Sequence, residues 1–315
     1  MKALIIGAAG FVGGHLINHL CSIGNLETFA TKLKTEKINN ECISKENIYD
    51  LDICDDVQTK TVIDIIRPDY IFHLAAQSSV SLSWKEPALT YNINVIGTIN
   101  ILEAIRKLEL TTRILLIGSA EEYGKIERDE LPINENAPIR PSNPYAVSKA
   151  SQEAIARLYV QAYGMDIIMV RAFNHIGPGQ SAVFAIPDFA KQIVDIENGR
   201  KEPVIYTGNL NAKRDFTDVR DIVEGYCKLM RKGIPGEIYN IGSGKSYSIK
   251  ELLYKMIQIS GKDIEVKNDP ERLRPVDIPE LKADITKIKT HTNWHHNITI
   301  DNSLEDILNY WRTLC

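Results

Sequence analysis

"KALIIGAAGFVGGHLINHL", Lys2–Leu20, is the stretch that decides the fold. Its first five residues are a short apolar run, as a strand needs when both of its faces are buried. The run stops at Gly7, and glycine recurs at Gly10 and Gly13. Leu16, Ile17 and Leu20 then supply an apolar face at helical spacing. A helix N-terminus carries unpaired N–H groups and a partial positive charge. Glycine lets a pyrophosphate come close enough to use them. The spacing here is Gly-x-x-Gly-x-x-Gly, looser than G-x-G-x-x-G, and a purely structural turn is the plain alternative. Its place directly between a strand and a helix favours dinucleotide binding.

Outward from this stretch the pattern repeats. Residues 27–31, 46–52, 69–76 and 112–119 read as strands. Residues 55–68 read as a helix capped by Asp55 or Asp56 and ended near Pro68, and a long helix covers Pro87–Leu108. Strands alternating with helices predict an α/β fold, a Rossmann-type doubly wound and mostly parallel sheet with ligands at the carboxyl ends of its strands. After the strand in 165–173 the chain is less regular, with a loop at "HIGPGQ", an amphipathic helix within 181–199 and another in 303–314. The expected division is a dinucleotide-binding domain of residues 1–170 plus about 218–243, and a smaller C-terminal α/β substrate domain of about 171–217 and 244–315.

Composition narrows the class. A length of 315 residues suits one large domain or two coupled ones. The net charge of −4 is spread along the chain, which gives no surface for nucleic acid. Cys21, Cys42, Cys54, Cys227 and Cys315 are scattered with no CxxC pair, as in the reduced thiols of a cytoplasmic protein. No run is long and apolar enough to cross a bilayer, and no leader peptide is expected at the first strand.

The end of the second strand bears on the choice of dinucleotide. It carries Thr31, Lys32 and Lys34, with no carboxylate before Glu36. An acid there would bind a ribose 2′-hydroxyl; cations suit the 2′-phosphate of NADP(H). NADP(H) is therefore preferred and NAD(H) is the alternative, while a solvated basic loop is the reading without function. Asp52 could bind the adenine amino group or cap the turn that follows it.

"GSAEEYG" and "YAVSK" carry the chemistry. If Pro144 opens a helix, Tyr145 and Lys149 lie one turn apart on one face. A nearby ammonium would lower the phenol's pKa and make Tyr145 a general acid or base near neutrality. Ser119 ends a predicted strand, where its hydroxyl could hold a carbonyl or alkoxide oxygen. Tyr-x-x-x-Lys alone is also an ordinary pair on a helix surface; the glycine loop and the strand-end serine give it weight.

With these residues in hand, the chain resembles an extended short-chain dehydrogenase/reductase acting on a nucleotide sugar. The likeness covers nearly the whole length, through "GAAGFVG", "DYIFHLAAQSSV", "NINVIGTINILEAIRK", "RAFNHIGPGQ" and "RDFTDVRDI". Its narrower likeness, in "GSAEEYG", "RAFNHIGPGQS" and "DFAKQIVDIE", is to the reductases of GDP-4-dehydro-6-deoxy-D-mannose. The resemblance implies a catalytic Ser119–Tyr145–Lys149 set, with Lys149 also bonding the nicotinamide ribose. It implies cofactor contacts from Gly7, Gly10, Phe11, Val12, Gly13 and Lys32. Further along, Asp52, Ile53, Leu74, Ala75 and Ala76 join Tyr145 and Lys149 in that role. A GDP-sugar would be met by Ser78, Asn174, Lys191, Arg214, Arg274 and Asp277; an arginine fork grips a diphosphate well.

The implied reaction is reduction at C4 to GDP-D-rhamnose. A 4,6-dehydratase, or a 4-epimerase with retained NAD(P), is the rival. Glu121 could be the dehydratase's C5 base, but Ala120 has no proton to give where related dehydratases carry Ser or Asp. Glu121 and Glu122 read equally as polar residues leading into a loop. "HTNWHHN" (291–297) invites a metal, yet it has no acid or thiol at helical spacing, so no metal is expected. Relatives pair through the helices near 87–108 and 144–163, which implies a homodimer.

Overall fold

The computed structural model describes residues 1–272 and 278–314. It opens with β1 (Lys2–Ile6), whose last four residues are buried. Alternate residues feed opposite faces, as the pleat requires: Ala3 and Ile5 enter one apolar core, Leu4 and Ile6 another. α1 (Phe11–Ile23) follows and stops at Gly24 in the left-handed conformation. β2 (Glu27–Lys32) and β3 (Ile48–Asp50) come next. The strand expected over 46–52 is shorter, because residues 45–47 wind into a 3-10 turn.

α2 (Asp56–Ile66) takes Asp55 as its cap, whose carboxylate accepts the Gln58 N–H at 2.8 Å. β4 (Tyr70–His73) leads to a short α3 (Val80–Lys85) and then α4 (Pro87–Tyr91). Residues 92–96 form a π turn that runs straight into α5 (Gly97–Lys107). The expected long helix is therefore present but carries one wide turn. Asn94 sits in that turn, fully buried; it accepts the Gln77 N–H at 2.8 Å and donates to Gln77 O at 3.1 Å and Ser148 Oγ at 2.9 Å. Such insertions recur where a helix must serve a site as well as a core.

β5 (Arg113–Ser119), α6 (Pro144–Tyr163) and β6 (Ile167–Ala172) complete the next crossover. The chain then runs through β7 (Asn174–Ile176), α7 (Ala185–Glu197), β8 (Val204–Thr207) and β9 (Lys213–Asp218). It returns with α8 (Val219–Lys232) and β10 (Ile238–Ile241). β11 (Ser246–Ser248), α9 (Ile249–Ser260), β12 (Glu265–Asn268), α10 (Thr286–Thr292) and α11 (Ile300–Leu314) end it.

The main sheet has seven strands in the order β3-β2-β1-β4-β5-β6-β10. Every neighbouring pair is parallel. One face is covered by α1 and α8 through Leu16, Ile17, Ile222 and Tyr226. The other is covered by α2, α5 and α6 through Val62, Ile63, Ile101 and Ala156. A third core joins α7, α9 and α11 through Ile193, Leu253, Met256 and Leu308. Two small sheets, β11-β9-β7 and β12-β8, lie in the same later part of the chain.

Buried acids tie these parts together. Asp215 accepts N–H bonds from Ser243 at 2.7 Å, Gly244 at 2.9 Å and Ala283 at 3.1 Å. Asp218 caps α8 and accepts the Ser303 hydroxyl at 2.6 Å. In "HTNWHHN" the fully buried Trp294 donates its indole N–H to Asp221 O at 2.9 Å. Among the described residues no cluster of His, Cys, Asp and Glu could hold a metal ion, and no helix could cross a membrane.

Candidate active site

A cleft of about 1420 Å³ runs along the carboxyl ends of the main sheet. Its floor at one end is the glycine turn. Gly7 has φ +87°, and a Cβ there would stand 2.6 Å from Ala75 N. A Cβ on Gly13 would stand 2.5 Å from Ala8 O, so glycine lets α1 pack onto the turn. Gly10 caps α1 with no side-chain bond, and the first turn of α1 holds no acid. These open N–H groups suit an anion. The cradle a Cβ would fill and the acid-free helix start both fit the pyrophosphate of a dinucleotide.

Phe11, Val12, Asp52, Ile53, Leu74, Ala75 and Ala76 line the same cleft. Thr31 accepts the Gly7 N–H at 3.3 Å. Lys32 lines the cleft at the end of β2, where its ammonium pairs with Asp50 at 2.5 Å. The basic strand end read from sequence thus has an acid from the neighbouring strand. Asp52 accepts the Cys54 N–H at 2.9 Å, and Asp55 is the helix cap.

Ser119, Tyr145 and Lys149 all line this cleft. Asn143 caps α6 by accepting the Ala146 N–H at 2.8 Å, and Pro144 follows at the first helical position. This puts Tyr145 and Lys149 on the first two turns, facing the end of β5. Lys149 donates to Ile117 O at 2.7 Å and to Gln152 Oε1 at 2.9 Å. Two of its three N–H groups are thereby used.

The electrostatics differ from the sequence expectation. Lys149 was expected to lower the Tyr145 phenol; instead burial pushes the phenol up, the Ser119 hydrogen bond works against this, and the charges of Glu122 and Glu121 add to it. Lys149 is pushed down to about 8 by burial, with Glu122 pulling it back up. Desolvation dominates because both side chains are almost wholly buried where they reach the cleft.

Glu121 lines the cleft, and its Oε2 accepts the Asn143 Nδ2–H at 3.0 Å. Ala120 beside it is buried. Glu122, read from sequence as a loop residue, is fully buried; its Oε1 accepts the Ser119 N–H at 2.6 Å. The Ser119-x-x-Glu122 spacing of a capping box is the local signal that marks Glu122 rather than Glu121.

Ser78, Asn174 and Arg214 also line the cleft. Arg214 donates to Lys213 O at 2.9 Å and Ile278 O at 2.6 Å. Arg272 joins them and pairs with Asp188 at 2.7 Å. Lys191 stands on α7, where it pairs with Asp195 one turn on at 2.9 Å. Arg274 and Asp277 lie outside the described residues. His175, also at the cleft, is the middle residue of β7: its Nδ1 meets Phe173 O at 3.1 Å, and its ring stacks on Phe11.

A parallel sheet in this order, with a glycine cradle and a helix bearing tyrosine and lysine four residues apart, is the build of the extended short-chain dehydrogenases/reductases. Within that class the chain belongs to the family described as GDP-mannose 4,6 dehydratase, whose model matches residues 4–307. It is 35% identical to the GDP-6-deoxy-D-mannose reductase of Pseudomonas aeruginosa PAO1, over 78% of this chain and 81% of the relative. It is 30% identical to a GDP-mannose 4,6-dehydratase of Sinorhizobium fredii, over 95% and 93% of the two chains. Among solved structures it superposes on RMD from Pseudomonas aeruginosa complexed with NADPH. That match has a TM-score of 0.88 and 29% identity, and it covers 100% of both chains.

Proposed function

We propose that this enzyme reduces the 4-keto group of GDP-4-dehydro-6-deoxy-D-mannose to give GDP-D-rhamnose, with NADPH as the preferred cofactor and NADH as the alternative. The observation that carries this reading is the phenol of Tyr145. It opens into the dinucleotide cleft beside Ser119 and is held protonated by burial. A protonated phenol suits proton donation to an alkoxide, which is what ketone reduction needs. The reductase and the NADPH-bound structure among the relatives support the same direction.

When bound, the reduced nicotinamide supplies hydride to the sugar. Tyr145 gives its proton to the C4 oxygen. Ser119, which lines the same cleft, donates a hydrogen bond to that oxygen as charge develops on it. Lys149 keeps its remaining N–H for the cofactor's ribose. The open N–H groups of α1 take the pyrophosphate, and Lys32 stands by the adenosine phosphate. Arg214 and Arg274 take the GDP diphosphate, with Ser78, Asn174 and Asp277 on the sugar and ribose; Lys191 has no part in this reading. We take residues 1–170 with 218–243 as the cofactor-binding domain and the rest as the sugar-nucleotide domain. A cytoplasmic homodimer completes the reading.

The second reading is a 4,6-dehydratase. Glu121 favours it, since its carboxylate lies on the cleft and is oriented by Asn143. Ala120 disfavours it, having no proton to give to a leaving hydroxyl. A coupled assay separates the two. GDP-mannose is converted to the 4-keto-6-deoxy nucleotide by a separate dehydratase, this protein is added with NADPH or NADH, and absorbance of the reduced nicotinamide is followed. Stoichiometric loss with a GDP-deoxyhexose product supports the reductase, and NMR of that product gives the C4 configuration. Conversion of GDP-mannose itself to a keto sugar, without loss of NADPH, would replace it with the dehydratase.

A further inference from the structure

Glu122 is a buried carboxylate that the reaction as written does not use. Its Oε1 accepts the Ser119 N–H at 2.6 Å, while its Oε2 has no hydrogen-bond partner. Arg171 is the nearest cation, with Nε at 3.8 Å from Oε2. That guanidinium is already committed: it grips Glu153 through two bonds of 2.8 Å, donates to Glu135 O at 3.2 Å and lies over the Tyr123 ring at 4.7 Å. The site is built for the carboxyl, because a Cβ on Gly118 would stand 2.6 Å from Oε1. Lys149 holds Ile117 O two residues before the N–H that Glu122 holds, so one strand end carries both groups.

We propose that Glu122 is a positioning residue for the proton transfer: one carboxyl oxygen holds the Ser119 backbone N–H at the strand end that also takes the Lys149 bond, and the carboxyl sets the alkaline limit of the reaction. The proposal rests on the reading of Tyr145 as the proton donor. The groups facing Glu122 are Tyr145, Lys149 and Glu153 from α6 and Arg171 from β6. Glu121 and Tyr123 flank it on its own turn. The neighbouring Arg140 offers only its backbone N–H, to Glu122 O at 3.1 Å, while its side chain pairs with Glu130. Burial and the Glu153 charge push Glu122 up to about 8. Its charge therefore appears as the pH passes neutrality, and once present it raises both Tyr145 and Lys149.

The test compares Glu122→Gln, which keeps an acceptor for Ser119 but carries no charge, with Glu122→Leu, which keeps neither. In Glu122→Gln the alkaline limb of kcat/KM moves down by about one pH unit, with a few-fold loss on the plateau. In Glu122→Leu the plateau itself falls about tenfold or more. Equal plateau losses with the limb unmoved in Glu122→Gln would leave a structural role only and overturn the proposal.

A lysine side-chain NMR titration, with the Lys149 signal assigned by Lys149→Met, reads the same effect without turnover. A lower Lys149 midpoint in Glu122→Gln supports the proposal, and an unchanged midpoint overturns it. If the wild type reduces no 4-keto sugar nucleotide, the proposed function fails, and this titration still decides the role of Glu122. If Glu122→Gln does not fold, infrared titration of the wild type decides. Loss of a buried protonated carboxyl between neutrality and about pH 9 supports the proposal; a carboxyl still protonated at about pH 10 carries no charge and overturns it.

Discussion

Tyr145 carries one hydroxyl into a cleft from which its ring is largely withdrawn. Tyr145→Phe removes that proton and little else. Turnover should fall about 10²- to 10⁴-fold, while NADPH affinity, followed by nucleotide fluorescence, stays within a few fold. Near wild-type turnover would remove Tyr145 from the mechanism. Glu122 makes a prediction on stability. Its carboxyl titrates at about 8 in the folded chain, against an ordinary value of 4.5. The folded state thus keeps a proton that the unfolded chain sheds between those values. A raised pKa gives stability that is whole below 4.5 and lost as the pH climbs through 8. Relative to Glu122→Gln, the wild type should lose stability from pH 5 to pH 8, as read by urea unfolding of both proteins. A difference that stayed level, or ran the other way, would mean that Glu122 is ionised throughout.

At the scale of single elements, local chemistry decides most. The glycine turn works because nothing larger fits. Gly13→Ala would drive a Cβ onto the Ala8 backbone, costing about 1–3 kcal/mol and tilting α1 away from the turn. NADPH affinity should drop at least about tenfold in a fluorescence titration; unchanged affinity would detach the cradle from cofactor binding. What could be read from sequence was local in the same way. "KALII", the three glycines, the Asp55 cap and the Pro144 helix start each announce themselves within a few residues. What escaped was set by distant neighbours. Asp50 reaches Lys32 across a strand pair, and Arg171 reaches Glu153 from strand to helix. α3 has six residues, too few for a period to show. The π turn answers to Asn94, whose three bonds go to Gln77 and Ser148, far along the chain.

Across the whole molecule, one surface is left apolar in an ordered way. Val147 and Leu158 are exposed along α6 at helical spacing, and Tyr91 is exposed on the adjoining helix. Tyr91 and Ser151 link the two helices through a 3.2 Å hydrogen bond. An exposed apolar face of this kind calls for a partner, and a second copy of the chain is the occupant proposed above. Leu158→Glu should then give a monomer in sedimentation equilibrium with its circular dichroism unchanged. A wild type that sediments as a monomer would remove the dimer from the reading.

The route of the chain through the main sheet has a consequence for how the protein is made. The seventh strand, β10, pairs with β6, yet residues 173–237 are made between them. α8, which covers α1, arrives in the same late segment. A nascent chain that has released only its first 173 residues therefore holds six strands, a bare edge on β6 and an uncovered flank on α1. Unpaired edges of this kind invite association with other chains. Translation must pass residue 241 before the sheet can close, so pausing of the ribosome inside the excursion is when this protein is most exposed to aggregation.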